Sequence, residues 1–167
     1  MPKITVHPGN TKEKAMMTRH TVLRTALAAG LVALTVAGCG QMRPSQKMDI
    51  YEATLTGAQE VPPSTSAGRG TAEIQFNSNT NALTWKVTYS GLSGPLTGAH
   101  IHGPAAAGAN AGIVVPFSGN LNAQPIQGQA TITPAQFGDL AAGLWYVNLH
   151  TAQSPGGEIR GQLRRRQ

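Results

Sequence analysis

The sequence has one cysteine, few charged residues and no apolar run long enough to cross a bilayer. The single cysteine, Cys39, excludes an internal disulfide. Only 12% of residues are charged, and the formal net charge of +6 is unevenly placed. Before residue 39, Lys3, Lys12, Lys14, Arg19 and Arg24 oppose only Glu13. The remainder is close to neutral, and three of its basic residues form the terminal Arg164-Arg165-Arg166. The pI near 10.0 is therefore no argument for nucleic-acid binding. The longest apolar run, Thr25 to Val36, is shorter than the roughly 20 residues of a spanning helix. There is no G-x-S-x-G turn and no glycine loop placed to cradle a phosphate. Ordinary hydrolase and nucleotide-dependent chemistries are thus unsupported.

What precedes Cys39 explains it. Arg19 and Arg24 lead into the apolar run, and Ala37-Gly38 are small residues at a cut site, the order of a secretory signal peptide. The tetrad Val36-Ala37-Gly38-Cys39 resembles a bacterial lipobox. The resemblance implies cleavage before Cys39 and lipidation of its sulfur and new amine, and several acyl chains anchor firmly where one does not. Residues 1–38 are read as the signal peptide, with a start near Met16 or Met17 sufficient for it, and 39–48 as a lipidated tether. Gly40, rather than Asp, follows the cysteine, which favours the outer membrane if the envelope is Gram-negative.

From residue 49 to the end the pattern is alternation of period two, cut by turn residues. Strands are expected over 49–56, 70–76, 82–90, 96–102, 112–118, 126–132, 144–151 and 158–163. One short helix is expected from Thr133, capped by that residue, opened by Pro134 and stopped by Gly143. Twenty glycines and eleven prolines suit short strands and turns. The expectation is one all-β domain: an antiparallel Greek-key sandwich or barrel of about eight strands.

All three histidines beyond the signal peptide lie at strand ends. His100 and His102 are two apart, so in a strand they share one face while Ile101 takes the other. His150 ends the run Leu144 to Thr151. With Trp145, Val147 and Leu149 inward, Tyr146, Asn148 and His150 face out, as do Glu158, Arg160 and Gln162 on the last strand. His100, His102, His150 and Glu158 can then meet on the outer surface, provided the histidine strands are neighbours. Imidazoles in that arrangement suit Cu or Zn, with Glu158 or Glu60 offering a carboxylate oxygen. The alternatives are structural: histidines fixing the turns, a Glu158–Arg160 ion pair pinning the last strand, a solvated Glu60 and a frayed arginine tail.

Four segments carry a family resemblance: Leu55 to Pro63 (LTGAQEVPP), Ala99 to Pro104 (AHIHGP), Tyr146 to Thr151 (YVNLHT) and Pro155 to Leu163 (PGGEIRGQL). In this order they resemble the CHRD domain, named for chordin, an extracellular growth-factor antagonist, and present in bacterial secreted proteins. The resemblance implies an immunoglobulin-like β-sandwich and little about activity. Chordin's cysteine-rich modules are absent, so growth-factor antagonism is not carried over. A weaker likeness is to the copper–zinc superoxide dismutases, which also carry His-x-His on a sandwich strand. Three histidines and no disulfide do not carry that two-metal chemistry across. The function expected is an envelope-anchored, non-enzymatic binding or structural module with a protein or matrix partner. The alternative is a Cu or Zn protein using His100, His102 and His150, with redox activity as an option.

Overall fold

A computed structural model describes residues 47–167. The signal peptide, lipidated Cys39 and most of the tether lie outside the described residues. The strands are β1 (Met48–Thr56), β2 (Arg69–Asn77), β3 (Ala82–Ser90), β4 (Leu96–His102), β5 (Ile113–Pro116), β6 (Ile126–Thr131), β7 (Tyr146–Thr151), β8 (Ile159–Gln162) and β9 (Arg164–Arg165). Among the described residues one α-helix, α1 (Pro134–Ala141), joins β6 to β7, and a short 3-10 turn, Gly57–Gln59, follows β1.

The all-β antiparallel expectation is borne out, with nine strands among the described residues because the last run breaks at Leu163. Hydrogen bonding orders them β5-β4-β7-β8-β1-β2-β3-β6, with β9 also on β1. This path curls into a nearly closed, barrel-like sheet whose crossing connections are compatible with Greek-key winding. Residues 117–125 close the gap between the edge strands β5 and β6. Phe117 donates its backbone N–H to Ala99 (3.0 Å) and stacks on Trp85 of β3 at 4.6 Å. Asn122 accepts from the Leu96 N–H at 2.9 Å, and Leu121 from the Tyr89 hydroxyl at 3.2 Å.

The core follows from the alternation. Tyr51, Ala53 and Leu55 of β1 are buried together with Ala72, Ile74 and Phe76 of β2 and Leu83, Trp85 and Val87 of β3. From the other half come Ala99, Ile101, Val147, Leu149, Ile159 and, just before β7, Trp145. Burial of this set is the main favourable term in folding. The helix plugs one opening. Thr133 and Gln136 form a reciprocal capping box, Pro134 occupies the first turn, Leu140 is buried, and Phe137 stacks on Phe76 at 4.1 Å.

The outer face of β7 and β8 differs from expectation. The alternation is kept, yet Tyr146, Asn148, Glu158, Arg160 and Gln162 are all buried. Two loops cover Tyr146, Asn148, Arg160 and Gln162, Gly57 to Pro63 and Gly103 to Gly112, tied to each other by Asn110 Nδ2 donating to the Val61 carbonyl at 2.9 Å, while Ser66, Ser93 and Thr151 enclose Glu158. The arginine tail is not frayed either. Arg165 pairs with the buried Asp49, Arg166 with Glu52 and Glu73, and β9 adds to β1.

Candidate metal centre

The two histidine strands are neighbours. β4 and β7 pair antiparallel, with His102 opposite Tyr146, His100 opposite Asn148 and Gly98 opposite His150. Ile101 is fully buried on the inner face, so His100 and His102 turn outward, where His150 joins them. Position 98 carries no side chain, and a Cβ there would lie 3.1 Å from His100 Cε1 and 3.5 Å from His150 Cδ2. The missing Cβ is what lets the two rings lean together across the strands, with centroids 5.0 Å apart.

Hydrogen bonds fix which nitrogens are free. His102 Nδ1 lies 3.0 Å from the Ala111 carbonyl, and His150 Nδ1 lies 3.0 Å from the Pro155 carbonyl. A carbonyl only accepts, so both Nδ1 atoms carry the proton and both Nε2 atoms keep a lone pair. His102 Nε2 is buried and has no hydrogen-bond partner. His150 Nε2 faces His100 Nδ1 at 3.1 Å. Two nitrogens bound to one zinc at tetrahedral angles would be about 3.3 Å apart, so this pair already stands at ligand spacing. One ligand atom from each ring can be chosen so that all three lie within 4.8 Å of one another.

The rings are half-buried and held neutral. Burial, then the neighbouring His150 and His102, push His100 down to about 4. Burial also lowers His102 and His150, against the opposing pull of their carbonyl partners. Neutral imidazole is the form that binds a metal. Nδ1–H donation to a backbone carbonyl is the usual way such ligands are oriented.

The structure does not bring the acidic candidates to this cluster. Glu158 is buried and accepts from Ser66 Oγ (2.8 Å), the Ser93 N–H (2.8 Å), Ser93 Oγ (2.6 Å) and Thr151 Oγ1 (2.5 Å). Burial alone would raise its pKa, but these bonds outweigh it and hold the carboxyl below its ordinary range. It forms no ion pair with Arg160: among the described residues the ion pairs are those of Arg165 and Arg166. Arg160 instead lies 3.3 Å over the Tyr146 ring and donates to Ala109 O and Asn110 Oδ1. Glu60 is no solvated loop acid. It is 5% exposed and takes both hydrogen bonds from Asn148 Nδ2 at 2.9 Å. Burial lifts its pKa to about 7, with Arg160 and Asn148 opposing.

The four segments singled out in the sequence thus do distinct work around one end of the sheet. The CHRD-domain family model matches residues 51–163. The chain belongs to the CHRD domain family. No curated protein and no solved structure matches it. Within this CHRD domain, the first matched segment supplies Glu60, the second His100 and His102, the third Tyr146, Asn148 and His150, and the fourth Glu158 and Arg160. Sequence reasoning missed the buried Glu60–Asn148–Arg160–Tyr146 network. The signal available was the clustering of small residues at 103–112 beside it, a cover thin enough to lie against the sheet.

Chemically, the CHRD site offers three nitrogen donors and leaves further coordination positions to solvent or a ligand. Both buried carboxylates of the neighbouring strands and loops, Glu60 and Glu158, are committed to other partners. The geometry of the three rings is one that could hold an ion.

Proposed function

We propose that this CHRD domain is a non-enzymatic, envelope-anchored module that binds a transition metal, Cu(II) or Zn(II), through His100, His102 and His150. The observation that carries the reading is the tautomer pattern. His102 and His150 spend their Nδ1 protons on backbone carbonyls, so both Nε2 atoms carry lone pairs: that of His102 has no partner, and that of His150 faces His100 Nδ1 at 3.1 Å. Imidazole nitrogen suits both ions, and three protein ligands with an open position is a common arrangement for each. On binding, His100 passes its proton from Nδ1 to Nε2, so the site loads without losing a net proton. The sequence around Cys39 supports membrane anchoring through lipid, and with it an extracytoplasmic location.

A second reading rests on the same hydrogen bonds: the histidines fix the Ala111 and Pro155 turns, and the module acts through protein or matrix contacts. One experiment separates the two. The full chain is titrated with Cu(II) and Zn(II) by calorimetry, alongside His100→Ala, His102→Ala and His150→Ala. Cys39, His7 and His20 are present in every variant, so differences report the triad alone. Binding near one equivalent, micromolar or tighter (about −8 kcal/mol), that each substitution weakens supports the metal reading. Variants that are less stable but bind no differently from the parent support the turn-fixing role. Anchoring is tested separately: Cys39→Ser should move the protein from the membrane fraction to the soluble one.

A further inference from the structure

The segment from Pro104 to Gly112 holds its place without a core of its own. Its sequence is PAAAGANAG, and its side chains are exposed or half-buried. Segments with little buried apolar surface open at low free energy. What fixes this one is a set of polar bonds to its backbone from the sheet beneath. His102 Nδ1–H and the Tyr146 hydroxyl both donate to the Ala111 carbonyl, and the Ala111 N–H donates back to the Tyr146 oxygen at 3.1 Å. Arg160 donates to Ala109 O at 2.8 Å, and Gln162 Nε2 to Ala105 O at 3.0 Å.

These anchors are not independent of the histidine cluster. Tyr146 lies on β7, between the strands of His102 and Arg160, and touches both. Its ring stacks on the His102 imidazole at 4.9 Å and 3°, and the Arg160 guanidinium lies 3.3 Å from its centroid. The ring whose Nε2 is unpartnered in the cluster is thus the ring that holds Ala111 and braces Tyr146. The far side of the segment matters too. Ala107 and Gly108 form one wall of a cavity of about 350 Å³, whose other residues include Glu60, Pro63, Arg160 and Gln162.

We infer that metal occupancy and the closure of residues 104–112 are coupled through His102 and Tyr146, so that the ion controls the cavity this segment walls. This rests on the metal reading above. An ion on Nε2 keeps the His102 proton on Nδ1, strengthens its donation to Ala111 and immobilises the face on which Tyr146 stacks. By linkage, anything that holds the segment closed must raise metal affinity by the same factor.

Amide hydrogen exchange on the full chain, with and without one equivalent of Zn(II), tests this. The informative amides are Gly103, Ala105, Ala109 and Ala111, each of which donates a hydrogen bond here. Zinc should slow their exchange by about tenfold and leave amides of β2 and β3 unchanged. Tyr146→Phe removes the hydroxyl and keeps the ring. It should bind zinc by calorimetry yet lose most of the zinc-induced slowing, whereas a merely structural tyrosine would lower protection equally with and without metal. Zinc bound at the triad with unchanged exchange would overturn the coupling and leave the site standing. Slowing that Tyr146→Phe leaves whole would overturn the proposed route. No zinc binding at the triad would overturn both the coupling and the metal reading.

Discussion

Substitutions at two single residues separate the metal-binding role of the histidine cluster from the stability of the sheet around it. Gly98 is the first. A Cβ at this position would sit 3.1 Å from His100 Cε1, so the ring must move by a few tenths of an ångström to admit it. Gly98→Ala should weaken Zn(II) binding by about tenfold while the melting temperature stays close to that of the parent, as calorimetric titration and thermal unfolding would show. Unchanged affinity would mean that the rings need not approach as they do here. Glu158 is the second, and it should behave in the opposite way. Its carboxylate is 1% exposed and collects donors from Ser66, Ser93 and Thr151, joining two loops and the end of β7 at one point. Glu158→Gln turns one acceptor oxygen into a donor facing donors. Denaturant unfolding should show a loss of about 1–3 kcal/mol, with metal affinity unaltered. A fall in affinity without loss of stability would return Glu158 to the ligand set. Gly157, beside it, has φ +133, and a Cβ there would meet Asn148 Nδ2 at 2.4 Å and Glu60 Oε2 at 2.7 Å. Glycine at 157 is therefore a condition for the buried Glu60–Asn148 contact.

At the scale of the elements, the helix gives the plainest test. Thr133→Ala removes the side chain that accepts from the Gln136 N–H and breaks the capping box. The expected cost is about 1 kcal/mol in denaturant unfolding, with zinc affinity unchanged because α1 contributes no residue to the histidine cluster. Elements of this kind were legible in the sequence. Alternation in 49–56, 70–76 and 82–90 and the Thr133-Pro134 start each arise from residues close in the chain, and all appear near their expected bounds. So was the direction of His100, His102 and His150, since a period of two leaves no choice once Ile101, Val147 and Leu149 are inside. The pairing of β4 with β7 was not legible, because nothing local in either strand names its neighbour. Nor was the fate of Glu60, Arg160 and Glu158. The alternation correctly put Arg160 and Glu158 outside the sheet. It says nothing about a loop folding back over that face, and partners 50 to 92 residues away made the difference. The break at Leu163 is likewise set by a distant partner. Leu163 turns into the core and donates its N–H to the Trp145 carbonyl rather than continuing along β1.

For the whole molecule, the two groups of buried titrating side chains oppose each other. Burial raises the Glu60 carboxyl from the ordinary 4.5 to about 7. Folding thus binds its proton more tightly than the unfolded chain does, and this contribution to stability is complete below pH 4.5 and lost as pH rises through 7. The histidines carry the other sign. Their values fall from 6.5, to about 4 for His100, so their contribution is complete above pH 6.5 and is lost as pH drops toward their folded values. Between pH 4.5 and 6.5 the two trends partly cancel, and the metal-free protein should show a shallow stability profile there. Glu60→Gln removes one side of this balance. With a chelator present, its stability relative to the parent should rise with pH from 4.5 to 7 and level off above that, while its own stability falls steeply on acidification below 6.5. Unfolding curves at half-unit pH steps measure both. A difference independent of pH would show that Glu60 titrates at its ordinary value. The loops from Gly57 to Pro63 and Gly103 to Gly112 would then not seal it from water, and the thin cover that ties the histidine cluster to the cavity would have to be drawn as open.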